Sequence, residues 1–347
     1  MQKSENNLLA WLAQRFADPA STGRPSSDRP AADDPTAGDA PPADAAPSPI
    51  IPIGDDMAMI APGPEGLLIA ADMIMDGVDF DADLHTPEQI GRKALAVNLS
   101  DCAAMAVRPR YALVSIALPN AWAMEQARRL FMGIEELARK HNVAVIGGDT
   151  NSWDKPLVVD VTILAEPWPG VAPIRRSGMK PGDLILVTGE LGGSLAGHHL
   201  TFEPRVAEAR WLAEHLGEGL HAMMDLSDGL STDAERMCRA SGIGIELAEA
   251  AVHGVASHAA RKAAATDGRS LLDHALNDGE DFELLFAVDP EKWATLADSP
   301  EGRERISPHV SPQYRVVGRA VAESGLWLIK DDNTRKAVES RGGEHFK

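Results

Sequence analysis

From Ile51 onward, short and nearly continuous apolar runs alternate with longer stretches of helical periodicity, which restricts the chain to mixed helix and sheet architectures. The runs Leu67 to Ala71, Tyr111 to Leu118, Val143 to Ile146 and Leu157 to Leu164 read as strands, and Pro87 to Ala106 and Ala121 to His141 read as helices. A second series begins near Gly182, with strands at Leu184 to Val187, Ala222 to Met224 and Phe282 to Val288 and with helices after Gly192 and after Ser227. The loop Glu166 to Gly170, which contains Pro167 and Pro169, separates the two series. The pattern therefore predicts an α/β (α+β) chain with domains at 51–168 and 169–347, and a length of 347 residues agrees with two domains.

The region ahead of Ile51 reads differently. Residues 17–50 hold eight of the 24 prolines and almost no large apolar side chain, the composition of a disordered insert. Before it, Leu8, Leu9, Trp11, Leu12 and Phe16 have approximate helical spacing and predict a short helix over residues 1–16. That segment lacks a long apolar core and a small-residue cleavage site, so no signal peptide is expected. No run is long enough to span a bilayer. Two distant cysteines, Cys102 and Cys238, exclude a disulfide framework and suit a reducing cytoplasm. A net charge of −19 disfavours nucleic acid as a partner, whereas clustered acids attract divalent cations.

The carboxylates carry the chemistry. Three predicted strands run into one: Leu67 to Ala71 into Asp72, Val143 to Ile146 into Gly147-Gly148-Asp149, and Ala222 to Met224 into Asp225. Carboxyl ends of strands are where α/β folds place ligands, although one such Asp is as readily a turn or helix cap. Asp101 falls on the helical stripe Ile90, Ala94, Val97, Asp101, Ala104, a face expected to be buried. An ionised carboxylate there costs several kcal/mol unless it holds a cation or pairs with a base such as Arg92 or Lys93. Gly54-Asp55-Asp56 and Asp225-Leu226-Ser227-Asp228-Gly229 add acidic turns. Without convergent His or Cys these hard oxygen donors favour Mg²⁺, and Mg²⁺ suggests phosphates. Gly189 to Gly197 could present backbone N–H groups to a phosphate, and Arg175 or Arg176 could clamp one. Neither a Walker A loop nor a Rossmann fingerprint occurs, and Asp79 to Asp83 is not an EF-hand because Leu84 and Ile90 replace its glycine and glutamate.

Six segments, in order, resemble the thiamine-monophosphate kinases of the aminoimidazole ribonucleotide synthetase-like superfamily. They are Gly54-Asp55-Asp56, Lys93 to Met105, Gly147 to Thr150, Arg176 to Asp183, Asp225 to Leu230, and Gly279-Glu280-Asp281-Phe282-Glu283-Leu284. The resemblance implies an N-terminal α/β domain that dimerises and a C-terminal α/β domain, with ATP and several Mg²⁺ held between them. It implies Mg²⁺ ligands at Asp55, Asp72, Asp101, Asp149, Asp225 and Asp228, ATP contacts at Phe131, Gly148, Asp149, Arg176 and Ser227, and an acceptor contact at Glu280. Asp101, Arg176 and Asp228 would be the catalytic groups.

Three departures from the family's pattern stand out, one in its metal motif and two at its acceptor. The family's Ser-Thr-Asp reads Ala70-Ala71-Asp72, its substrate-contacting His is Asp79, and the aromatic residue expected to stack on thiamine is Gly343. The implied reaction is ATP-dependent phosphorylation of thiamine monophosphate to thiamine diphosphate by direct in-line transfer, in a cytoplasmic homodimer. Two alternatives stay open: a kinase or synthetase of the same superfamily acting on another small metabolite, and a non-catalytic nucleotide-binding protein.

Overall fold

The computed structural model describes residues 60, 62–64, 66–306 and 313–339. The expected N-terminal helix, the proline-rich insert, Asp55 and Gly343 lie outside the described residues. Of the described residues, those up to Asn98 together with Pro109–Glu166 form one compact unit, and Leu99–Arg108 with those from Pro167 onward form a second.

The first unit is built on a four-stranded sheet of order β1-β4-β2-β3, with β1 Leu68–Met75, β2 Val107–Pro119, β3 Ala144–Trp153 and β4 Val158–Pro167. β1 runs antiparallel to β4, and β2 parallel to β3. Alternation assigns the faces: Val159, Val161, Ile163 and Ala165 of β4 are buried, and the residues between them are half-buried. Helix α1, Pro87–Ala104, is buried on every side from Lys93 to Ser100, polar Lys93, Asn98 and Ser100 included. Helix α2, Met124–Lys140, is amphipathic and buries Ala127, Leu130, Phe131, Ile134 and Leu137. The two helices meet backbone to backbone, because a Cβ on Gly91 would lie 2.0 Å from the Leu130 carbonyl and one on Gly133 2.0 Å from that of Glu88. Arg129 fastens the crossing with two hydrogen bonds to the Glu88 carboxylate, at 2.6 and 2.9 Å.

The second unit carries a seven-stranded sheet of order β11-β10-β7-β9-β5-β8-β6. Its strands are β5 Leu184–Thr188, β6 Leu220–Asp225, β7 Gly244–Ala248, β8 Leu284–Val288, β9 Tyr314–Val321, β10 Leu326–Ile329 and β11 Arg335–Ala337. Only β10 and β7 pair in parallel; the other pairs are antiparallel. Ile185, Val187, Met224, Leu285 and Ala287 form a core with Leu230, Ala234 and Met237 of the helix Leu230–Ser241.

Several expectations need correction. β1 and β3 extend well past their apolar runs, so Asp72 and Asp149 lie within strands, and only Asp225 ends one. The helix expected after Gly192 is a 3₁₀ turn at Ser194–Ala196 and a four-residue helix at His198–Thr201. Gly192, Gly193 and Gly197 all have positive φ and interrupt it, and a regular helix, α3, forms only at Val206–Leu216, after Pro204. The helix after Ser227 is α4, Leu230–Ser241. Both cysteines are buried and neither forms a disulfide, and among the described residues no helix is long and apolar enough to cross a membrane.

Candidate active site

In the second unit Asp225 closes β6 at 4% exposure, and its carboxylate accepts a 2.7 Å hydrogen bond from the buried Ser100 hydroxyl. Loss of water pushes this carboxyl above the usual carboxylate range; Ser100 and the Arg176 charge pull it back, and the Asp228 charge adds to the rise. The Arg175 carbonyl accepts the Met223 N–H at 2.9 Å, which runs the arginine pair alongside β6. Asp233, fully buried in the first turn of α4, accepts the Asp228 N–H at 3.0 Å and a 2.8 Å bond from Arg236. Burial, with the charges of Asp225 and Asp228, raises the Asp233 carboxyl to about 7. The same Arg236 Nη1 also touches Asp228 Oδ2.

The Gly279–Leu284 segment is locked onto this turn. The Glu280 N–H donates to the Ser227 carbonyl at 2.7 Å, Phe282 N–H to that of Leu226 at 2.8 Å, and Leu226 N–H to that of Glu283 at 2.8 Å. Glu280 and Phe282 both adopt left-handed backbone, at φ 64° and 50°, a conformation that costs a non-glycine residue about 1 kcal/mol or more. Strain of this kind is kept where the surroundings over-determine the geometry, and here it holds Glu280 beside Ser227. Phe282 stacks on Phe202 at 4.3 Å.

Asp281 and Glu283 face inward. Glu283 accepts two bonds from Arg205 and one of 2.5 Å from Thr188 Oγ1. Asp281 accepts the Gly192 N–H at 2.9 Å and the Ser194 hydroxyl, and Asp278 takes the Gly193 N–H at 2.8 Å. Of the backbone donors read as a phosphate cradle, the Gly192 and Gly193 N–H groups are thus held by the protein's own carboxylates and those of Gly189 and Leu191 by the Gln313 and Val255 carbonyls, which corrects that reading. Burial drives the Asp281 carboxyl to about 8. The fold therefore keeps a proton that the unfolded chain releases near pH 4, so this group's contribution to stability falls as pH rises from about 4 to about 8. Asp281→Asn is expected to flatten the decline of Tm between pH 6 and 8.5, where the wild type loses up to about 1.4 kcal/mol per pH unit from this residue. Parallel melting curves across that range would show that Asp281 does not titrate there.

In the first unit Asp72 and Asp149 sit on β1 and β3, the two edges of the sheet, so the sheet does not bring them together. Asp72 is half-buried opposite Val161; Asp149 is exposed, opposite Ser115. Gly148 has φ 146°, and a Cβ there would lie 1.8 Å from the Val114 carbonyl, so strand pairing alone demands glycine. Phe131, expected to meet the nucleotide, is instead 3% exposed on the core face of α2. Asp101 is half-buried while Ile90, Ala94, Val97 and Ala104 on its stripe are fully buried. Asp79 turns its carboxylate onto the Met75 N–H at 2.7 Å, and its carbonyl accepts the ammonium of fully buried Lys93 at 2.6 Å. Sequence reasoning missed Ser100, Asp233 and Arg236; the i, i+3 spacing of the last two was the available signal.

The donors at Asp225 and Asp228 are hard carboxylate oxygens, buried at Asp225 and half-buried at Asp228, a donor type that fits Mg²⁺ and not a softer metal. Among the described residues no group of three His, Cys, Asp or Glu side chains converges in metal-holding geometry, and a guanidinium bridges Asp228 and Asp233.

Comparison with known proteins defines the class first. Residues 54–166 match the model of the AIR synthase related protein, N-terminal domain. Over 286 residues the chain is 43% identical to thiamine-monophosphate kinase of Rhodopirellula baltica, covering 79% of this chain and 84% of that one. A solved thiamine-monophosphate kinase from Stenotrophomonas maltophilia superposes with a TM-score of 0.68 at 28% identity, covering 81% and 90% of the two chains. AaThiL complexed with AMPPCP and TMP superposes with a TM-score of 0.64 at 27% identity, covering 81% and 87%. The chain belongs to the thiamine-monophosphate kinase family.

Proposed function

We propose that the chain transfers the γ-phosphoryl group of ATP directly to the phosphate of thiamine monophosphate, yielding thiamine diphosphate and ADP. The observation that carries this reading is the Asp225–Asp228 turn, where a buried Asp225 with a carboxyl held above its usual range lies near a half-buried Asp228 and the turn is locked against a strained Glu280, in a member of this family. That AaThiL is complexed with AMPPCP and TMP supports an ATP-like nucleotide and thiamine monophosphate as the two substrates.

In this reading Asp72, Asp101, Asp149, Asp225 and Asp228, with Asp55, would hold several Mg²⁺ ions, which would supply positive charge to offset phosphate repulsion. Arg176 offsets the remaining charge, Gly148, Asp149 and Ser227 place the nucleotide, and Glu280 contacts the acceptor. A phosphate monoester has its second pKa near 6, so the acceptor is already largely anionic and no general base is needed. Catalysis then comes from positioning and electrostatics. Cys102 and Cys238, buried and not joined in a disulfide, support a cytoplasmic setting.

The reading includes a homodimer formed through the first unit. Ile69, Met73 and Met75 project from one face of edge strand β1 at 65, 56 and 39% exposure, an apolar row suited to a second copy. Met73→Glu is expected to halve the mass measured by light scattering; an unchanged dimer would place the contact elsewhere.

The deciding experiment incubates the protein with ATP, MgCl₂ and thiamine monophosphate and quantifies thiamine diphosphate, with Asp101→Asn as the contamination control. Product from the wild type alone is expected. No product from folded, ATP-binding protein would overturn thiamine monophosphate as the acceptor and favour a different small metabolite, the reading that Asp79 and Gly343 motivate.

A further inference from the structure

We propose that Arg236 is a resident counter-cation at the Asp225–Asp228 turn, competing with Mg²⁺ for Asp228 and giving way when the metal binds. This rests on the reading of Asp228 as a Mg²⁺ ligand.

One nitrogen, Arg236 Nη1, contacts both Asp228 Oδ2 and Asp233 Oδ1. A divalent ion seeking Asp228 Oδ2 meets that guanidinium already in place. The exposures favour an exchange, since the Arg236 side chain is 39% exposed while those of Asp228 and Asp233 are 17% and 0% exposed. A guanidinium with that access to water is rehydrated as it leaves the partly solvated Asp228, while the buried Asp233 keeps its bond from the Asp228 N–H. Arg205 is the contrast: 12% exposed against a Glu283 side chain at 3%, it has no comparable route to solvent.

Asp233 completes the device. Its carboxylate is fixed by burial and by the Asp228 N–H, so it keeps the turn in shape whether or not Arg236 is engaged. Without a cation, three carboxylates on one turn repel one another. Arg236 therefore stabilises the metal-free turn and weakens its affinity for the ion that replaces it. Arginine suits this role because one group serves two carboxylates with fixed geometry and never deprotonates.

The test uses the full chain without nucleotide. Mn²⁺ binding, read by electron paramagnetic resonance of the free ion, is compared for wild type, Arg236→Gln, Arg236→Lys and Asp228→Asn, with melting curves in EDTA and in excess Mg²⁺. Arg236→Gln is expected to bind about tenfold tighter than wild type, an order-of-magnitude figure for removing one competing ion pair. It is also expected to melt lower in EDTA and to gain more from Mg²⁺. Arg236→Lys should fall between the two, and it decides the matter if Arg236→Gln does not fold. Equal or weaker binding in the Arg236 variants, with Asp228→Asn losing a site, overturns this inference alone. No binding by wild type, or binding undisturbed in Asp228→Asn, overturns the Asp228 reading and this inference with it.

Discussion

Asp225→Asn is expected to abolish most thiamine diphosphate formation while making the protein more stable. The residue is 4% exposed, water loss holds its carboxyl above the ordinary range, and Asp228 lies close enough to add to that rise. A neutral isostere removes a buried charge and a like-charge repulsion while keeping an oxygen for the Ser100 hydroxyl. Stabilising substitutions commonly gain about 0.5–2 kcal/mol, with lost function the recurrent cost where activity needs a destabilised site. Activity should move the other way: an amide is a poor Mg²⁺ ligand, and losing one electrostatic contact to a transition state typically costs about 10²–10³ in rate. Calorimetry and a product assay on the same preparation separate the readings. A variant that loses stability and activity together would make Asp225 a structural residue.

Arg205→Ala is expected to destabilise the second unit by about 3–5 kcal/mol, the usual cost of leaving one member of a buried ion pair without its partner. Glu283 is 2% exposed and receives Arg205 Nε at 2.7 Å, a second Arg205 nitrogen, and the Thr188 hydroxyl. Thr188 Oγ1 in turn accepts the Leu284 N–H at 2.8 Å, so the network pins β5 to β8 at the start of the strand that follows Glu280. A loss of that size consumes a large share of a stability of about 5–15 kcal/mol. Glu283→Gln keeps an acceptor for Thr188 and should cost less, and urea midpoints of the two single variants and the double variant measure the coupling. A cost below about 1 kcal/mol for Arg205→Ala would mean that Glu283 is satisfied without it.

Both expectations concern motifs that a reader of the sequence groups together by position. Gly279 to Leu284 reads as one acidic motif, yet only its backbone resolves the roles. Left-handed φ at Glu280 and Phe282 turns Asp281 and Glu283 into the core and keeps Glu280 at the Ser227 carbonyl. No spacing rule announces this, because the inversion depends on hydrogen bonds to residues about fifty positions away. The glycine-rich run after β5 misled for the same reason: its free-looking N–H groups are taken by Asp278 and Asp281, remote in sequence and adjacent in space.

What the sequence determined by itself was whatever depends on local chemistry. Periodicity marked α1, α2 and most of the strands in the two series, since burial of an apolar face is written into residue order. The order of the acidic motifs was enough to indicate the family. Strand ends were legible only where apolar runs stop with the ladder, as at Asp225; β1 and β3 carry on into mixed sequence because backbone pairing with β4 and β2 continues whatever the side chains. Only the tertiary structure decided which charges face one another. It set Ser100 on Asp225, Arg236 across Asp228 and Asp233, and Arg205 on Glu283. Those pairings follow from long-range packing, and electrostatic energy depends on distance and burial, neither of which a linear chain records.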